Sequence, residues 1–424
     1  MTDWAARVLA EVDAAASAAE ERLAALVAVP SVGGSDAEHD IQAELAGDLR
    51  AAGLDVDHWR LPLPELLAAE GFPGVEVERT EAWGLVGRLA GRGDGPTLML
   101  NGHVDVVPVG DPAAWSTPDH FSGRVVDGEL HGRGACDMKA GLVAAMAAVS
   151  AVCRSGAPLR GDLLLAAVPG EEDGGLGTFA TLARGWRADA CVVPEPTSLD
   201  LVTAAAGALT FRLRVPGRAT HASRRTEGVS ALDKLVPLLA GLARLEAARN
   251  RDVDPLMTGW PLAYPLSIGR VTAGDWASSV PDLLVAEGRL GVALDEPVED
   301  ARTAFEDAVT EVCAADPWLR EHPVEVQWWG GQFAPGRLAA GSDLADRMAL
   351  AHRTVTGGSA HPGRRGVPYG SDLRLLAAAG IPTLHYGPGD AVLAHAPDER
   401  VPLGEVRTAA RALALLALDV CGLA

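Results

Sequence analysis

The feature that most constrains the fold is a rhythm in the first half of the chain. Short apolar runs, each about as long as one buried strand, alternate with stretches of helical period. The runs are LVGRLAG, TLMLNGHVDVVP, GDLLLAAVPG and ADACVVPE. A helical pattern over about 37–52 ends near Gly53, and another, GLVAAMAAVSAVC, follows Lys139. Short buried strands separated by helices predict an α/β domain on a mostly parallel sheet covered on both faces. In such sheets ligands bind beyond the carboxyl ends of the strands. Each polar cluster described below follows one of these runs.

The texture changes near Gly207. ALTFRLRVPG alternates like a half-exposed strand, and a helix over about 228–248 follows. Two strand-like runs, PLSIGRV and LLVAEGRLGVAL, then a helix over about 298–314 and the strand VEVQWW complete the unit. These elements predict a small α+β domain over 207–331, inserted into a domain made of 1–206 and 332–424. After Gly331 the α/β pattern returns, with a strand at IPTLHYG and a closing helix from about Leu403. The stretch 60–80 reads as a long loop with one helical turn.

Composition narrows the function. The 424 residues carry a formal net charge of -21, against the basic footprint that nucleic acid requires and against anionic membrane surfaces. The N-terminal stretch reads as an Ala-rich helix ending near Pro30. Acids from Asp3 onward argue against a signal peptide, and no stretch reads as long and apolar enough to span a bilayer. Cys136, Cys153, Cys191, Cys313 and Cys421 are odd in number and scattered, which predicts reduced thiols and a cytoplasmic protein. With no paired cysteine spacing, any metal must be held by histidines and carboxylates.

Five segments carry the chemistry. In Leu100-Asn101-Gly102-His103-Val104-Asp105, His103 ends a strand, where an imidazole can bind a metal. Asp105, two residues on, falls on the same side and could accept the other ring N–H. In Gly132–Gly141, Asp137 could bridge two cations or simply cap the helix that follows. Glu171, Glu172 and Asp173 follow an apolar strand. They form a solvated turn or a metal centre whose cations offset the clustered charge. Glu195 ends another strand in VVPEPT, and His395 lies beyond a Gly/Pro turn after the last core strand. His385, inside that strand, reads as a core or supporting residue. This N/O donor set suits zinc, with cobalt or manganese as alternatives.

The order and spacing of LNGHVDVVP, GRGACDMKAG, PGEEDGG, VPEPT, GPG and AHAPDE resemble the metallohydrolase family of acetylornithine deacetylase, succinyl-diaminopimelate desuccinylase, aminoacylase and carboxypeptidase G. The resemblance runs from about residue 30 to the helix after Glu399. It implies two zincs, one bound by His103 and Glu195 and the other by Glu172 and His395. Asp137 would bridge them, next to a cis peptide before Met138. It further implies Glu171 as general base and Asp105 as the residue orienting His103. His221, otherwise an ordinary surface histidine after a strand, would reach the neighbouring subunit's site and help hold the oxyanion. The insert would then be a lid and dimerisation domain.

Two features depart from the family pattern. Ser278-Ser279-Val280-Pro281 stands where an Asn often precedes the Val-Pro step. Arg289 lies two residues before the usual register of a substrate-binding arginine, on the same strand face. Arg374, in the turn Tyr369–Arg374, is the stronger candidate for a substrate carboxylate, because its planar fork binds carboxylates bidentately. The function implied is deacylation of an N-acyl amino acid or related small molecule. The rivals are a dipeptidase or glutamate-type carboxypeptidase on the same scaffold, and a non-catalytic protein that keeps the metal site.

Overall fold

The computed structural model describes residues 3–358 and 361–424. The chain divides into two compact units. The first holds the chain up to Thr203, Arg337–Arg365 and Ser371–Ala424; the second holds Ala204–Gly336 and Gly366–Gly370.

The first unit is built on a nine-stranded sheet whose order runs Asp55–Arg60, Trp83–Leu89, Leu163–Val168, Leu98–His103, Ala190–Val193, Thr383–His385, Leu201–Ala205 and onward. The middle four of these pair in parallel. The Asp55–Arg60, Trp83–Leu89 and Leu201–Ala205 strands join antiparallel. The sheet is therefore mixed, with its parallel character confined to the centre that the apolar runs predicted. Side-chain alternation explains why those runs are apolar throughout. Leu98, Leu100, Leu163, Leu165 and Val192 enter one core, whereas Met99, Leu164, Ala166, Cys191 and Val193 enter another on the opposite face. A strand buried on both faces has no polar positions to alternate with.

One face is covered by Ala140–Ser155 packed among Asp3–Ala14, Ala16–Ala28 and Leu403–Cys421. The N-terminal stretch is thus two helices broken at Ala15 and not the single one expected. The Ala135–Ser155 segment also corrects an expectation. It has the length and mean hydropathy (1.5) of a membrane-crossing helix, and 72% of its apolar window is buried inside the protein. Its small alanines let neighbours approach on nearly every side, so burial in this core, like burial in lipid, selects apolar residues all round.

The second unit is α+β. A four-stranded antiparallel sheet runs Leu266–Ala273, Leu283–Val292, Gly207–Pro216, Glu325–Phe333. Helices Ala231–Arg249 and Val298–Ala315 cover one face, where Phe211, Leu213 and Val215 meet Leu238, Phe305 and Val309. The alternate residues carry charge, as in the Arg212–Glu287 pair at 2.6 Å.

Gly141, at the start of the core helix, lets that helix touch the loop after Ala190–Val193. A Cβ there would sit 1.7 Å from the Pro194 carbonyl oxygen. Gly141→Ala should therefore cost about 1–3 kcal/mol by overpacking. Thermal unfolding measures this; an unchanged midpoint would show that the contact yields freely.

Candidate metal centre

Four neighbouring parallel strands run out toward the same side, with His103 in register with Val168, Leu100 with Val192, and Val193 with His385. Each then releases a polar segment on the same side. His103 is itself a strand end, Glu171 lies three residues beyond Val168, and Glu195 lies two beyond Val193. His395 comes from the loop after Thr383–His385, held at a φ of 61°. Asp137 sits in the turn that Gly134, at a φ of 81°, opens before the core helix. The Asp137–Met138 peptide is cis, as the resemblance implies.

Asp137 stands between the two histidines. Its Oδ1 lies 3.1 Å from His103 Nε2 and its Oδ2 3.4 Å from His395 Nε2. Glu195 Oε1 is 3.9 Å from His103 Nε2, and Glu172 Oε2 is 2.9 Å from His395 Nε2. The residues form two half-sites that share one carboxylate. Glu171 faces the first of them: the donor atoms of His103, Glu171 and Glu195 lie within 4.8 Å of one another, as do those of His103, Asp137 and Glu172. His103, Glu171 and Glu195 are buried, whereas the His395 side chain is 54% exposed, which leaves its half-site open to solvent.

The electrostatics are those of a site short of positive charge. Burial, then the Asp372 and Glu195 charges, push the Glu171 carboxyl well above the usual range. Burial and the Asp137 charge do the same to Glu195. Burial pulls the His103 imidazole down, but the Asp137 hydrogen bond and the Glu195 and Asp105 charges outweigh it, so His103 stands well above an ordinary histidine. The charge of Glu172 leads in lifting His395 to about 11. Asp137 is held low despite burial by its hydrogen bonds to both imidazoles. Imidazole and carboxylate donors crowded in this way fit divalent cations, which would supply the charge that protons otherwise must.

Around the donors lies a set of residues that fix them, and here the structure departs from expectation. His103 Nδ1 meets the main-chain oxygen of Asp105 at 2.9 Å, while the Asp105 carboxylate is 3.8 Å away. That carboxylate is occupied elsewhere. It accepts the N–H groups of Glu171 and Glu172 at 3.2 and 3.1 Å. Arg374 also differs from its expected role. It is buried, and its guanidinium donates to the carbonyls of Ser371 and Gly174 at 2.8 and 2.6 Å, holding the Glu171 loop from inside. His385 is buried and meets the Ser371 hydroxyl at 2.9 Å, a supporting contact. His221 and Arg289 belong to the second unit. His221 is exposed, and Arg289 lies half-buried with its guanidinium 5.6 Å over the Phe333 ring.

Sequence reasoning missed Arg133 and Glu399, although both lie within quoted motifs. Glu399 accepts the N–H groups of Cys136 and Asp137 at 2.8 and 3.0 Å and pairs with Arg133 at 2.7 Å. Arg133 also donates to the His395 and Ala396 carbonyls. One buried ion pair thus ties the Asp137 turn to the His395 loop. The available signal was a charge of each sign beside a candidate ligand.

Comparison with known proteins agrees with this geometry. Residues 99–419 match the sequence profile of Peptidase family M20/M25/M40. The chain is 29% identical over 350 residues to the N-formyl-4-amino-5-aminomethyl-2-methylpyrimidine deformylase of Halalkalibacterium halodurans, covering 77% of this chain and 80% of that protein. It is 31% identical over 363 residues to the succinyl-diaminopimelate desuccinylase of Paracoccus denitrificans, covering 82% of this chain and 89% of that protein. Its fold matches the dipeptidase Dug1p of Saccharomyces cerevisiae with a TM-score of 0.77 at 15% identity, over 99% of both chains. The chain belongs to Peptidase family M20/M25/M40. It is a metal-dependent amidohydrolase of that family.

The Glu399 contacts generate a prediction. Groups that orient metal ligands are typically worth about 10–100-fold in metal affinity. Glu399→Ala should weaken binding of added zinc to metal-stripped protein by about that factor, read by calorimetric titration. Unchanged affinity in a folded variant would show that Asp137 and His395 keep their places unaided.

Proposed function

We propose that this chain is a cytoplasmic two-zinc hydrolase that removes the acyl group from an N-acyl amino acid or a related small amide. The observation that carries this reading is Asp137, whose two oxygens face two different histidine–glutamate pairs while Glu171 stands beside them. The acyl-removing names of the deformylase and desuccinylase relatives support the reaction class. His103, Glu195 and Asp137 would hold one cation, and His395, Glu172 and Asp137 the other. Such cations supply Lewis-acid polarisation of the carbonyl and acidify the attacking water.

The remaining work falls to the chain's own groups. Glu171, buried beside the His103–Glu195 pair, takes the proton from water as a carboxylate and returns it to the leaving amine. Asp105 fixes the main chain of that residue through its N–H. His221 is the oxyanion donor. Its Nδ1 accepts the Ser223 N–H at 3.2 Å, which leaves Nε2 as the ring's N–H in the neutral form. Arg289 remains the candidate for a substrate carboxylate.

A second copy of the chain would complete the site. The second unit offers it an edge strand, Leu266–Ala273, largely exposed. It also offers an apolar stripe on Ala231–Arg249 formed by Leu232, Val236 and Leu239, with Val236 65% exposed. An unpaired edge beside an apolar stripe is the usual material of a two-fold contact.

The decisive experiment is a panel of N-formyl, N-acetyl and N-succinyl amines and amino acids set against dipeptides, run on metal-stripped protein with and without zinc or cobalt. Zinc-dependent hydrolysis of N-acyl substrates is expected. Hydrolysis of dipeptides alone would replace deacylation with a peptidase function, and full turnover by verified metal-free protein would end the metal reading.

The shared site has its own test. Glu171→Gln and His221→Ala proteins should each lose about 10²–10⁴-fold in turnover. After subunit exchange, heterodimers would contain one site with both residues intact and should regain about half of wild-type activity, as one restored site of the pair requires. Verified heterodimers that stay inactive would place His221 outside its neighbour's chemistry.

A further inference from the structure

The stretch that reads as a long loop with one helical turn, 60–80, contains one of the most deeply buried charges of the first unit. Arg79 has a side chain only 2% exposed, between Glu38 at 0% and Asp173 at 8%. Its Nε and Nη2 donate to Glu38 at 3.0 and 3.1 Å, and its Nη1 donates to Asp173 Oδ2 at 2.9 Å. The same Asp173 oxygen accepts the N–H groups of Glu76 and Val77 at 3.1 and 2.9 Å. Three donors from one short stretch therefore converge on the residue that follows Glu171 and Glu172.

The backbones are equally close. A Cβ on Gly174 would lie 1.9 Å from the Gly74 carbonyl oxygen, and one on Gly34 would lie 2.4 Å from Val77. The Arg79 guanidinium also lies against Gly170, 3.2 Å from where a Cβ would be. The other end of the clamp is fixed too, since Glu38 accepts the Gly34 N–H at 2.8 Å.

This arrangement answers a specific difficulty. Glu171, Glu172 and Asp173 are consecutive acids, and a turn of three like charges gains most by opening toward water. Two of them must face the histidines. Locking the third to Arg79 fixes the rotational phase of the turn, so its neighbours can only project into the site. We propose that residues 74–79 form a strap across this loop, and that Arg79 and Asp173 are positioning residues for the Glu171 carboxylate during proton transfer. The proposal rests on Glu171 being the general base.

The test is Asp173→Asn in the zinc-loaded enzyme. The amide keeps an acceptor for the Glu76 and Val77 N–H groups but loses the ion pair with Arg79. A displacement of about 1 Å at a reacting group can cost about 100-fold, so kcat should fall by about 10–100-fold with KM within about threefold of wild type. Zinc content should stay at the wild-type level. In a Glu171→Gln background the same change should cost nothing further, because both act on one step. Arg79→Lys keeps the charge, yet its single ammonium cannot bridge Glu38 and Asp173, so it should show the same kcat loss in milder form.

A folded Asp173→Asn enzyme with kcat within about twofold of wild type would overturn the proposal, since positioning effects are larger than that. So would a loss that multiplies with Glu171→Gln, or one that follows lost zinc. If Asp173→Asn fails to fold, Arg79→Lys decides by the same outcomes. Normal turnover by Glu171→Gln would instead overturn the general-base reading itself.

Discussion

The structure turns on the burial of more negative charge at one end of a sheet than the chain's own cations neutralise there. The acids divide into two rings by how they are compensated. In the outer ring, Glu38 and Asp173 share Arg79, Glu399 has Arg133, and Asp105 accepts two backbone N–H groups. In the inner ring, Asp137, Glu172 and Glu195 face the imidazoles of His103 and His395. Breaking a buried charge pair by removing one partner costs about 3–5 kcal/mol, which is what loss of either arginine of the outer ring would incur.

The parallel centre of the sheet makes this concentration of charge achievable. Only parallel neighbours end on the same side, so only they can deliver His103, the Glu171 loop and Glu195 to one place from segments far apart in sequence. Antiparallel strands at the flanks serve a different purpose. They widen the apolar platform on which the covering helices rest.

Much of this was legible in the sequence. The central strands are apolar on both faces, so they announce themselves by length alone, and the polar clusters that follow them mark the site. The antiparallel flanks, the inward turn of Arg374 and the strap around Arg79 were not legible. Each depends on a partner distant in sequence: Arg374 on Gly174, and Arg79 on Glu38 and Asp173. Local pattern identifies an arginine but not whether its fork faces substrate or protein. Asp105 shows the same limit at shorter range. Alternation placed it correctly beside His103, yet its main-chain oxygen took the ring nitrogen because the carboxylate was already bound to the loop opposite.

Asp137, which both half-sites share, sits in a turn that is held from two sides. Glu399 fixes its N–H and that of Cys136 from one side. From the other side, Lys139 reaches back and donates to the carbonyls of Leu26 and Val29 at 2.8 Å each, where the Ala16–Ala28 helix ends. These bonds add a donor beside the Val29 N–H at the last carbonyls of that helix, and they bind the turn to the N-terminal helices. Gly141 then holds the following helix against Pro194, immediately before Glu195. A displacement of any terminal ligand would disturb one half-site, whereas a displacement of Asp137 would disturb both. Anchoring is concentrated where an error would cost most, on the residue whose two oxygens must face two directions at once.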